Sequence, residues 1–163
     1  MCPAQRKGQS LIVKLLFEHL PPSMAIGLAG WWLSGDYGCL LASLVAGWMI
    51  DADHLVDFFY YVHRAGKAAD YSLVKTGKYF KLNGKVIVPL HAWEITLTMF
   101  LLALLLPAAQ AILFCAALAH GAHLLQDQLM YRVRPYGYWL MSRLHEHFVH
   151  DGFCAAANDV KAI

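Results

Sequence analysis

Residues 39–62 read CLLASLVAGWMIDADHLVDFFYYV, an apolar run whose only acids and imidazole are Asp51, Asp53, Asp57 and His54. About 20 consecutive apolar residues cross a bilayer as a helix, so length and composition predict a span here. The acids and the histidine are then the anomaly. An ionisable group at bilayer depth costs about 2.5–3.5 kcal/mol on insertion scales, and such groups face a bundle interior and mark functional sites.

The rest of the chain agrees with a partly lipid surrounding. Of its 163 residues 59% are hydrophobic and 15% charged, against about 25% charged in soluble domains; mean hydropathy is +0.45. This length predicts one membrane-embedded helical domain over 1–163 and no second domain. A net charge of +2 gives no electrostatic case for nucleic acid. Cys2, Cys39, Cys115 and Cys154 form no C-x-x-C pair, which excludes a thiolate zinc knuckle and gives no disulfide framework. Arg6 and Lys7 precede an apolar stretch broken by Lys14 and Glu18 with no small-residue cleavage site, so no signal peptide is expected.

Three further runs read as spans: about 11–33, broken by Pro21-Pro22, then 90–106 and 108–131, an antiparallel pair joined at Pro107. With 39–62 they predict an all-α polytopic bundle of about four transmembrane helices. Ser34-Gly35-Asp36-Tyr37-Gly38 is a turn. In the polar segment 63–85, Asn83-Gly84 suggests a hairpin pairing 79–82 with 86–88. The tail from 132 reads as an interfacial amphipathic helix and a loose end, its His145, His147 and His150 solvated. Lys and Arg concentrate at the N-terminus, in 63–85 and after 131, and are absent from 34–38 and the Pro107 junction. Basic segments stay cytoplasmic, so a multi-pass protein of the inner (plasma) membrane is expected, with both termini inside.

Counting inward from the basic ends at about 1.5 Å per residue puts His91, Glu94, Asp57, His54, Asp53, Asp127, His123 and His120 between about 8 and 18 Å deep. Three separate helices thus place ionisable groups in one slab of the cytoplasmic half. Asp53/Asp57, His91/Glu94 and His120/His123/Asp127 follow spacings of three, four and seven, each set on one helix face. Carboxylates and imidazoles projecting inward from facing helices are how bundles hold metal, including two ions together. Asp53, His54, His91, His123 and Asp127 are the expected ligands of one or two divalent ions; the set suits zinc, iron or manganese. Asp51 or Glu94 is the expected general base for a metal-activated water.

These segments resemble the membrane-bound, metal-dependent hydrolases of the YdjM-like inner-membrane group, with a more distant likeness to zinc-dependent phospholipase C. The resemblance rests on His19 at the first span, Asp51-Ala52-Asp53-His54 closing the second, His91 opening the third, and His123-Leu124-Leu125-Gln126-Asp127 on the fourth. It implies a metal-dependent hydrolase with zinc as the leading metal, and it adds His19 to the ligands. Two departures stand out: Ile50 occupies the position of the group's proline, and Glu94 that of a second histidine.

The first expectation is therefore a hydrolase acting on an ester or phosphoester of a lipid or other amphiphile, with Arg64 and nearby lysines steering an anionic headgroup. The alternative is non-enzymatic: a metal-binding or ion- or proton-handling membrane protein. A bis-histidine haem needs no flanking carboxylates. A conducting path would need polar residues towards the far side, where 97–119 offers little beyond Thr98 and Gln110. Metal identity, substrate and oligomeric state stay open at this stage.

Overall fold

The computed structural model describes residues 18–153 apart from 67, 77 and 132. All described regular structure is helical. Four helices form an up-down-up-down bundle: α1 (Leu20–Ser34), α2 (Gly38–Gly47), α6 (Trp93–Leu105) and α7 (Gln110–Met130). Between α2 and α6 lie a 3₁₀ turn (Met49–Asp53) and three helices, α3 (His54–Ala65), α4 (Ser72–Thr76) and α5 (Lys78–Asn83). Short helices α8 (Leu140–His145) and α9 (His150–Phe153) follow α7.

Local chemistry sets the boundaries. Pro21 and Pro22 stand in the first turn of α1, where a missing N–H costs nothing, and a π turn at residues 18 and 19 leads into them. The part of the expected first span before residue 18 lies outside the described residues. Gly35 ends α1 in the left-handed conformation (φ 73°), its N–H bonding Trp31 O at 2.7 Å. The Asp36 carboxylate then accepts from Gly38 N at 2.7 Å and turns the chain into α2.

The second expected span is bent. Its two halves, Gly38–Gly47 and Met49–Ala65, meet at 43°. Gly47 packs so closely on Ser23 and Ala119 that a Cβ there would collide with both. One helix, Pro107–Met130, is long and apolar enough to cross a membrane by itself. The hairpin expected around Asn83-Gly84 is absent: residues 78–83 are helical, and Gly84 (φ 67°) closes that helix through a bond to Phe80 O. The tail is packed as far as Phe153, since Tyr138 and Phe153 join Phe58, Tyr79, Phe80 and Leu124 in one buried cluster over the open end of the bundle; the loose end expected after it falls, beyond 153, outside the described residues.

The bundle is small inside and large outside. Ser23, Gly27, Ser43, Gly47, Ala103, Cys115, Ala117 and Ala119 are buried between helices. Trp32, Leu33, Leu41, Leu104, Leu105 and Leu129 face outward, each at least 63% exposed. Around this exterior the chain carries no Lys, Arg, Asp or Glu from 95 to 126, and only Asp36 from 19 to 50. Among the described residues, the segments bearing Lys and Arg gather at the other end, with α3, α5 and the tail.

Candidate metal centre

The end of the bundle below that cluster collects His19 from the start of α1, Asp51, Asp53 and His54 from the break after α2, His91 ahead of α6, and His123 and Asp127 from the last turns of α7. These elements converge because α2 stops at Gly47. Its freed carbonyl accepts the His123 Nδ1 hydrogen at 2.7 Å; a carbonyl only accepts, so this contact fixes the tautomer. His91 is set likewise, with Nδ1 against Asp53 Oδ2 at 3.0 Å. Both rings therefore turn Nε2 lone pairs towards one point, and the two Nε2 atoms stand 3.2 Å apart.

Two carboxylates close on the same point. Asp51 Oδ1 lies 3.4 Å from His91 Nε2 and 3.5 Å from His123 Nε2. Asp127 Oδ2 lies 3.6 and 3.5 Å from the same atoms. Donor atoms of Asp51, His91, His123 and Asp127 all fall within 4.8 Å of one another. Ligands bound at about 2.0–2.2 Å from a shared ion stand no more than about 4.4 Å apart, and the separations of 3.2–3.6 Å about the two Nε2 atoms fit one ion. With both imidazoles neutral, four acceptors face each other and repel; a shared cation, or a proton on an imidazole, resolves the conflict. This cluster of buried Asp and His residues could hold a metal ion.

Two more histidines border it. His19 stacks on His123 with ring centroids 4.0 Å apart, and its Nε2 lies 3.5 Å from Asp127 Oδ1 and 3.9 Å from Asp51 Oδ2. Asp51 and Asp127 thus each present one oxygen to the His91–His123 pair and the other to His19. His54 Nε2 is 3.3 Å from Asp51 Oδ1. Asp53, His54 and His91 form a second grouping that could hold an ion. There Asp53 Oδ2 already accepts from Leu90 N at 2.9 Å and from His91, leaving Oδ1 as a buried oxygen with no partner among the described residues. Beside the centre, a cavity of about 20 Å³ is lined by His54, Phe80, Val88, His91, Asp127 and Tyr138, room for about one water.

The roles differ in part from the sequence expectation. Asp51, expected as a base, sits among the imidazole Nε2 atoms, while Asp53, expected as a ligand, orients His91. Glu94 is not drawn into the centre: its carboxylate accepts from Leu140 N at 2.9 Å and Met141 N at 3.0 Å, holding the start of α8. His120 is fully engaged, with Nδ1 2.7 Å from Thr96 Oγ1 and Nε2 3.0 Å from Leu90 O.

Supporting residues outside the expected set hold His91 in place. Residues 87–91 have no regular structure, and buried backbone needs partners for every polar group. Asp57, fully buried, accepts from Ile87 N (2.9 Å) and Val88 N (2.6 Å). Arg143, 3% exposed, donates to Ile87 O (2.6 Å), Val88 O (2.9 Å) and His91 O (2.7 Å). Burial lowers the Arg143 pKa while the Asp53 and Glu94 carboxylates oppose the shift; a guanidinium stays charged throughout. Between these anchors Val88 adopts φ 24°, a strained setting for a β-branched residue. Tyr138 OH donates to Asp127 Oδ2 at 3.3 Å. Burial, reinforced by the Asp127 charge, raises the phenol pKa and keeps that donor protonated.

No family model, curated protein or solved structure matches this chain.

Proposed function

We propose that this chain is a multi-pass inner-membrane protein whose buried centre binds a divalent metal, zinc foremost, and hydrolyses an ester or phosphoester of a lipid or other amphiphile. The observation that carries the metal reading is the 3.2 Å approach of two imidazole Nε2 atoms whose Nδ1 positions are both committed elsewhere. The membrane reading is supported by the inverted packing. Small residues between helices and large apolar ones outside suit lipid, where helices associate through close contact of Gly, Ala and Ser. A soluble monomer rarely exposes an apolar surface of this extent. The charge-free far end and the basic site end favour a cytoplasmic site.

In this reading His91, His123, Asp51 and Asp127 hold the metal, with His19 and His54 at its edge. A divalent ion in such a site acts as a Lewis acid and lowers the pKa of water towards about 7. Asp53 and Gly47 O fix the two imidazole tautomers. Tyr138 keeps one Asp127 oxygen hydrogen-bonded. Glu94 is committed to backbone, which leaves His54 to carry the proton: it lines both the enclosed cavity and an open hollow beside it. The aromatic cluster over the centre limits access of bulk water.

The competing reading, an ion- or proton-handling protein, would need polar groups leading away through the bundle, and α6 and α7 carry no charged residue from 95 to 126. Elemental analysis of protein purified without chelators, paired with a panel of soluble ester and phosphoester substrates, tests the proposal. A stoichiometric transition metal lost in His123→Ala and Asp127→Asn, with hydrolysis lost alongside, is expected. Protein that holds no metal overturns it.

A further inference from the structure

The break after α2 opens a second hollow beside the centre. It measures about 260 Å³ and is lined by Trp48, Met49 and Leu55, with Val74 from α4 across from them. Asp51 and His54 belong both to its wall and to the metal centre. Apart from those two side chains the wall is apolar. Leu41, Val45 and Met49 follow at four-residue intervals and are 66%, 50% and 53% exposed. They form an apolar stripe running up α2 to the hollow.

We propose that this hollow takes the acyl chain of an amphiphile and that the chain arrives sideways from the bilayer leaflet along the Leu41–Val45–Met49 stripe. The proposal rests on the hydrolytic reading above and states which part of the substrate is recognised. A sugar or nucleotide in this hollow would lose water contacts that an apolar wall cannot replace. A hydrocarbon chain has none to lose. Its first polar atoms would then meet Asp51 and His54, which would set the bond to be cleaved beside the metal centre. A chain already in lipid gains little hydrophobic free energy on moving into an apolar hollow, so the effect of the hollow is orientation.

The test uses metal-loaded protein in phosphatidylcholine nanodiscs and 11-bromoundecanoate, whose terminal bromine quenches an adjacent indole. Saturable quenching is expected, with the saturable part missing from Trp48→Phe. Leu55→Phe, which fills the hollow from α3, is expected to raise half-saturation about fivefold or more, the low end of the cost of overfilling a packed apolar space, with metal content unchanged. Val74→Phe approaches from the separate helix α4 and repeats the measurement where the first variant fails to fold. Quenching that rises linearly with probe, or half-saturation unmoved in a variant that keeps its metal, overturns the hollow. The two readings fail separately. Saturable quenching without turnover of any ester or phosphoester removes the enzyme and keeps the hollow; turnover of a short soluble substrate without saturable quenching does the reverse.

Discussion

Replacing Arg143 with methionine removes three hydrogen bonds of 2.6–2.9 Å while keeping most of the side-chain volume. Hydrogen bonds from a charged donor contribute about 1.5–3 kcal/mol each, a gross sum of roughly 4.5–9 kcal/mol. The variant also escapes the cost of burying the guanidinium, so the net loss is expected near the 3–5 kcal/mol that follows breaking a buried charged contact. The second effect is local. With the carbonyls of Ile87, Val88 and His91 released, the strained turn at Val88 relaxes and His91 leaves its alignment with His123. Outer-shell changes of this kind lower metal affinity about 10–100-fold. Thermal scanning of detergent-purified protein reads the first effect, and competition against a chromogenic chelator reads the second. Arg143→Lys, which keeps the charge but cannot span three carbonyls, should fall between. A folded Arg143→Met protein with metal affinity within about twofold of the parent would refute the claim that this residue positions His91.

Asp57→Asn should cost about 1–3 kcal/mol, because an amide can accept from only one of the two backbone N–H groups at Ile87 and Val88; chemical denaturation measures it. Glu94→Gln should keep both metal and hydrolysis and shift stability by about 1 kcal/mol or less, since one of its two backbone contacts survives. His120→Ala should leave metal stoichiometry at the parent value while costing about 1–3 kcal/mol through the Leu90 carbonyl it abandons. Stripping the metal with a chelator should lower the melting temperature, and readdition should restore it in proportion to the logarithm of free metal.

Much of the centre was legible in the sequence because helical spacing and depth are one-dimensional quantities. His91, His123 and Asp127 converge as counting inward from Lys and Arg predicts. The Asp51–Asp57 segment was harder. Read as one helix face, it groups Asp53 with Asp57. At about 100° per residue His54 lies as near to Asp57 as to Asp51, and the 3₁₀ turn over Met49–Asp53 changes the angle again. In the structure Asp51 and His54 meet the imidazoles, while Asp53 and Asp57 hold residues 87–91. The spacing alone did not give that division. Nor was the contribution of Arg143 legible, because nothing in a six-residue polar helix shows that it folds back over a site formed 52 residues earlier. The role of Gly47 was equally hidden: a backbone carbonyl leaves no mark on composition. The interruption of the second span was also concealed, since Trp48, Met49 and Ile50 continue the apolar pattern across a break set by backbone geometry.

Dependence on Arg143 also orders events in time. A chain made from its N-terminus completes α1 to α7 before the residue that clamps the carbonyls of 87–91 has been synthesised. Until it arrives, the carbonyls of Ile87, Val88 and His91 have no clamp, and the loop hangs on Asp53 and Asp57. On the metal-binding reading proposed above, the earlier helices then hold an ion only weakly, and tight loading waits for α8 to dock. A protein ending before Arg143 should bind metal no better than Arg143→Met.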